Sequence, residues 1–195
     1  LLAAPKLHHG IVIVGQVVYK ACGQCFYYCQ NFLLCMRLHC FPPVVDEDIE
    51  VLILGSFPGV ASLERNQYYG FGHNQFWKLV GGVLRKDLQS MAYEKRLSTL
   101  LEHHVGLWDV IASCERKGSL DTNIKGAQYN DFSSLQLPKL RLVCCNGQKT
   151  FEIAKKLISG VPIVQLPSSS PARTLPFEKK LEEWKRAFKS LSLKK

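Results

Sequence analysis

Four short apolar runs stand out along the chain: EVLILGSF (residues 50–57), VGLWDVIA (105–112), LRLVCCN (140–146) and VPIVQLP (161–167). Each is too short for a helix and is closed by Gly, Ser, Pro or Asn, which is the pattern of a buried strand. Between and after them the apolar positions recur every three or four residues. NQFWKLVGGVL (74–84), YEKRLSTLLEHH (93–104), QKTFEIAKKLI (148–158) and FEKKLEEWKRAFKSL (177–191) read as helices with one apolar face. Strands alternating with helices predict an α/β fold, with a parallel sheet covered by helices on both faces.

In such a sheet, ligands bind beyond the carboxyl ends of the strands. The loops at those ends are GSFPGVAS (55–62), SCERKGSLD (113–121), NGQKT (146–150) and PSSSPAR (167–173). The first lacks the Lys and the spacing of a P-loop and is not a dinucleotide fingerprint, which argues against ATP or NAD. The last offers Ser168, Ser169 and Ser170, a rigid Pro171 and Arg173. Small polar residues with free backbone N–H groups suit phosphate contacts, although the same residues also make ordinary turns.

The pattern changes at Pro42 and Pro43, which precede the acids Asp46, Glu47 and Asp48. We therefore divide the chain into a leader, 1–45, and a domain, 46–195. The leader contains no acidic residue and five of the eight cysteines, and it has the look of a disordered or targeting segment. Its Cys22-Gly-Gln-Cys25 could form a metal site with Cys29, Cys35, His39 and Cys40, but the spacing matches no known zinc pattern. Cys144 and Cys145 lie in an apolar run and are expected to be reduced core residues of an intracellular protein. No apolar stretch is long enough to span a membrane.

A net charge of +9 favours a polyanionic partner, nucleic acid above all. Asn74 stands just before a helical run, where it could cap the helix or present its amide to a ligand. His73 could exchange protons near neutral pH or simply be solvated. Asp109 is an acid inside an apolar strand, a costly placement unless it bonds local backbone or faces a polar pocket. Asp131 reads as a helix cap.

Together these segments resemble the uracil-DNA glycosylase superfamily, and most closely its hypoxanthine-DNA glycosylase branch, from about Asp48 to about Leu191. The similarity rests on LGSFPGVASLERNQYYGFGHNQFWK and LPSSSPAR, with GLWDVIASCERKGSLD and YNDFSSL between them. It implies a three-layer α/β/α sandwich around a four-stranded, mostly parallel sheet. It also implies a monofunctional glycosylase that flips a deaminated base, hypoxanthine first, from DNA and hydrolyses its glycosidic bond without metal or cofactor. Excision of uracil or of a mispaired pyrimidine, or a weakly catalytic damage-binding module, are the alternatives. The expected form is an intracellular monomer that meets no membrane. It would act in the nucleus or a DNA-containing organelle of a eukaryote, or otherwise in the cytoplasm.

The resemblance assigns roles by position. Phe57 stands where the uracil enzymes carry a water-orienting Asp, so Asn74 is expected to position water or the leaving base. Phe76 matches the ring under the flipped base. Gly59 replaces a Tyr and leaves room for a purine. Asp109 would accept the N1–H of hypoxanthine, a proton that adenine lacks, and so serve catalysis beside Asn74. Ser168 takes the place of a His that stabilises the leaving oxygen. Gly55 completes the base pocket. Ser56, Pro58, Ser169, Ser170 and Pro171 would hold phosphates, and Arg173, rather than the short Ala172, would wedge into the duplex. Phe71-Gly72-His73-Asn74 departs from the His-Pro-x-Asn common in the family.

Overall fold

The computed structural model describes residues 11–14, 17–20 and 37–192. In the leader, β1 (Ile11–Val14) and β2 (Val17–Lys20) pair antiparallel as a two-stranded ribbon. Cys22, Cys25, Cys29 and Cys35, and with them the suggested metal site, lie outside the described residues. The main compact unit begins at Leu38, so residues 38–45 belong to it.

That unit opens with β3 (Leu38–His39) and β4 (Val51–Gly55). Helices α1 (Val60–Arg65), α2 (Phe76–Leu84) and α3 (Tyr93–Glu102) follow. Next come β5 (Val105–Asp109), β6 (Ile111–Glu115), β7 (Lys125–Tyr129) and β8 (Leu142–Asn146). The chain closes with α4 (Gln148–Leu157), β9 (Ile163–Leu166) and α5 (Phe177–Ser192). Four strands form a sheet in the order β5-β4-β8-β9, wholly parallel where a mostly parallel sheet was expected. All five residues of β4 and of β5 are buried, as a strand covered on both faces requires.

From β4 the chain crosses to one side of the sheet, and from β8 to the other. Right-handed crossovers in opposite directions place their helices on opposite faces, which gives three layers. They also leave a crevice where the carboxyl ends of β4 and β8 part. The register aligns those ends: Gly55 lies opposite Asp109, and Leu54 opposite Cys145, the residue before Asn146.

The apolar run 105–112, read as one strand, is two. The chain bends at Val110, whose N–H donates to Gly55 O at 2.9 Å, and leaves the parallel sheet. Strand β6 then pairs antiparallel with β3 and β7 in a separate three-stranded sheet. Periodicity could not show this, because both strands are apolar and only Val110 separates them. Cys114, Cys144 and Cys145 are fully buried and in no disulfide, as expected of the last two, and burial pushes the Cys145 thiol up to about 12. Asp131 caps a 3-10 turn by accepting the Ser133 N–H at 2.9 Å. Among the described residues no helix is long and apolar enough to cross a membrane.

Candidate active site

A cavity of about 600 Å³ opens at the carboxyl ends of the parallel strands. Every residue assigned to the site from sequence lines it except Phe76. Tyr68, Tyr69, Phe71, Ser119, Leu120, Asp121 and Asn146 line it as well, and sequence reasoning had not singled these out. His73 is exposed and does not line the cavity; its ring leans toward Phe71, with centroids 5.4 Å apart.

The inner wall is made by residues that touch one another across strands. A Cβ added to Gly55 would lie 2.3 Å from Asp109 Oδ1 and 2.9 Å from Tyr69 Oη. Gly55 is therefore glycine because a carboxylate and a phenol occupy the space of its side chain. Asp109 is 4% exposed, and its Oδ2 has no hydrogen-bond partner in the protein. Burial pushes this carboxyl up to about 7; the negative charge of Asp121 adds to the shift and the Arg116 guanidinium opposes it. Of the two readings of Asp109, the pocket-facing one holds. Only its backbone carbonyl is tied locally, accepting Asn130 Nδ2 at 2.8 Å.

Asn74 stands at the start of α2 and on the cavity wall. Its Oδ1 accepts the Phe76 N–H at 2.9 Å, capping the first turn of α2. That bond fixes the amide plane and leaves Nδ2 as the donor available to the cavity. Phe76 itself is fully buried and cannot face a base. Tyr69 stacks on it, with centroids 3.7 Å apart and planes within 9°, and covers it from the cavity. Tyr69 sits at φ 52°, a left-handed conformation unfavourable for a bulky residue. Neighbouring ties hold it there: Gly70 N–H donates to Ser62 Oγ at 3.0 Å, and Arg65 Nη1 to Gly70 O at 2.7 Å. Its hydroxyl accepts Asn146 Nδ2 at 3.0 Å.

Asn146 joins β8 to the serine loop. Its Nδ2 also donates to Ser169 Oγ at 2.8 Å, and its Oδ1 accepts the Ser169 N–H at 2.8 Å. Ser169 is thus fully buried and fully engaged, so its side chain is a tie between loops and no phosphate contact. Ser168 Oγ and Ser170 Oγ each accept a backbone N–H two residues on, which shapes the turn. Pro171, Ala172 and Arg173 are exposed.

The two signature segments are bound directly. Gln75 N–H donates to Ser169 O at 3.0 Å. Lys180 of α5 donates to Gln75 Oε1 at 2.9 Å and to Ser170 O at 3.4 Å, although its residue is 1% exposed. Burial, with the Arg173 charge nearby, holds its ammonium below the usual range. No carboxylate among the described residues pairs with Lys180. Trp184 anchors the same helix by donating to Pro167 O at 3.0 Å.

On the facing side, Phe57 lies under the Arg116 guanidinium, 5.0 Å from ring centroid to Cζ. Arg116 Nη2 donates to Pro58 O, while Nε and Nη1 are buried without partners. Ser119 Oγ accepts the Val60 N–H at 3.0 Å, and a Cβ on Gly59 would touch that hydroxyl at 3.5 Å. Part of the space left by Gly59 is therefore taken by Ser119. Among the described residues no group of three His, Cys, Asp or Glu is placed to hold a metal.

Comparison with known proteins follows the same outline. The profile of the Uracil DNA glycosylase superfamily matches residues 42–192. A Hypoxanthine DNA glycosylase of Methanosarcina acetivorans is 45% identical over 152 residues, covering 76% of this chain and 96% of that protein. A Hypoxanthine DNA glycosylase of Methanosarcina barkeri is 43% identical over 157 residues, covering 79% and 99%. A solution NMR structure from M. acetivorans, given as a uracil DNA glycosylase, superposes with a TM-score of 0.71 at 43% identity, covering 80% of this chain and 99% of that one.

Proposed function

The chain belongs to the Uracil DNA glycosylase superfamily, and on that premise we propose that it is a monofunctional DNA glycosylase whose first substrate is hypoxanthine. The observation that carries this reading is the buried Asp109 carboxylate, with Oδ2 unpartnered, on the wall of a cavity beside an aromatic ring. Such a group needs a donor from the ligand, since an unpaired buried acceptor is unfavourable. Hypoxanthine supplies one at N1–H. Adenine presents a lone pair there and would leave the carboxylate facing an acceptor.

The base reaches the cavity by leaving the duplex stack. The free face of Tyr69, with Phe76 behind it, offers the stacking surface. Water attacks C1′ of the deoxyribose, the C1′–N9 bond breaks, and its electron pair leaves with the base, which takes up a proton. An abasic sugar remains. Asn74 Nδ2 is held by the cap to hydrogen-bond the water or the departing base, and such a fixed donor stabilises developing charge. Ser168 borders the same space. Ser56, Ser170 and the exposed backbone at Pro171 are placed to meet phosphates, with Arg173 beside them.

The volume of about 600 Å³ lies in the range of small-molecule sites, about 300–1,000 Å³. Uracil also carries a ring N–H that Asp109 could accept, which makes it the second substrate to test. On this reading the protein is a monomer acting where DNA is kept, in the nucleus or a DNA-containing organelle of a eukaryote or otherwise in the cytoplasm, with no membrane partner.

Alkali cleavage of duplexes carrying one hypoxanthine, uracil, xanthine or normal base tests the proposal. Cleavage at hypoxanthine that disappears in Asn74→Ala is the expected result. Binding without any abasic product would reduce the protein to a damage-recognition module.

A further inference from the structure

Gly59 leaves a space on the cavity wall, and another part of the chain reaches into it. Apart from the residues next to Gly59 in sequence, only Ser119 comes within 4 Å of where its Cβ would stand: Oγ at 3.5 Å and Cβ at 3.7 Å. Ser119 is fixed in that place. Gly59 is the N-cap of α1 and has no side chain with which to cap it. The orphan N–H of Val60, the first residue of the helix, donates instead to Ser119 Oγ at 3.0 Å. One serine thus caps the helix for the glycine and borders the space of its missing side chain. The loop that carries Ser119 is tied on both sides. Arg116 donates to Pro58 O, Asn123 Nδ2 to Lys117 O at 3.0 Å, and Lys149 Nζ to Asp121 O at 2.6 Å.

A wall held by bonds to backbone cannot retreat from a ligand as a free surface side chain can. Its size then matters, because one methylene too many or too few in a pocket is worth about 10–200-fold in discrimination. Ser119 lines the same cavity as Gly59 and the base-reading Asp109. A purine has two fused rings and a pyrimidine has one, so the depth left at Gly59 bears on which of them is seated. We propose that Ser119 is a specificity-determining residue that sets the width of the cavity at Gly59, and with it the choice between a purine and a single-ring base. This rests on the reading of the cavity as a base site.

Two substitutions move the wall in opposite directions. Ser119→Thr keeps the hydroxyl for Val60 and adds one methyl; Ser119→Gly removes the side chain. Each is compared with wild type by the ratio of single-turnover cleavage at hypoxanthine to that at uracil. Gel shifts give the matching ratio of affinities, on duplexes with 2′-fluorodeoxyinosine or 2′-fluorodeoxyuridine, whose glycosidic bonds resist cleavage. The expected result is a fall in both ratios of at least about tenfold for Ser119→Thr and a rise for Ser119→Gly. Should one variant fail to fold in thermal melts, the other decides. Ratios that stay at the wild-type value, including equal losses on both bases, would overturn the proposal and reduce Ser119 to a helix cap, leaving the glycosylase reading intact. Affinity ratios that shift as expected with no abasic product from any protein would keep the wall and sink the glycosylase.

Discussion

Strands β4 and β8 end in two cavities of opposite character. At their amino ends lies a crevice of about 260 Å³, lined mainly by Leu52, Leu140, Val143, Ile158 and Val161. At their carboxyl ends lies the larger cavity, where a carboxylate without a protein partner faces a phenol and two amides. The same two strands border both, so strand composition alone does not explain the contrast. At the amino ends, apolar side chains face one another and nothing there calls for a ligand. At the carboxyl ends the crossovers diverge, and the loops around the gap are fixed by bonds such as Asn146 to Ser169 and Lys180 to Gln75. One cavity is imperfect packing; the other is a space bordered by polar ties.

If that contrast is correct, substitutions at the carboxyl ends should damage chemistry more than stability, and those at the amino ends the reverse. The largest effect is expected for Asn74→Ala, which removes a fixed donor: cleavage at hypoxanthine should fall about 10²–10³-fold in single-turnover assays, with DNA affinity retained in gel shifts. Gly55→Ala should follow. Its new Cβ meets Asp109 and Tyr69 head-on, so activity should fall at least about tenfold and stability by about 1–3 kcal/mol in urea titration.

Asp109→Asn sharpens the comparison through pH. The folded carboxyl titrates near 7, far above its ordinary value of 3.8. Between those values the folded protein keeps a proton that the unfolded chain has released. Wild-type stability must therefore fall as pH rises from about 4 to about 7 and stay low above it, by up to about 4 kcal/mol. The asparagine variant should lose that slope, melt higher than wild type at pH 8, and cleave hypoxanthine poorly at every pH. Wild-type activity should instead rise through pH 7 as the acceptor forms. Calorimetry and rate profiles from pH 5 to 9 read both.

Lys180→Met should raise KM several-fold by loosening both signature loops, with Lys180→Arg in between. The smallest effect on chemistry belongs to Leu52→Ala, which borders the apolar crevice. It should lose about 2–5 kcal/mol of stability yet leave kcat/KM of the folded protein unchanged.

The sequence by itself determined the alternation of strands and helices, the edge at which the loops gather, the cap at Asp131 and the thiols in the core. It also marked Asn74 and Asp109, because a capping amide and an acid in an apolar strand are local signals that survive any tertiary arrangement. Only the tertiary structure decided the rest. The split at Val110 depends on β6 finding β3 and β7. The burial of Phe76 beneath Tyr69, and of Ser169 behind Asn146, depends on partners distant in the chain. The clamped loop that carries Ser119 depends on bonds to Pro58, Val60 and Lys149. Periodicity reports which face of an element is apolar. Which side chain of a loop reaches the cavity is set by contacts across the fold, and a one-dimensional pattern carries no record of them.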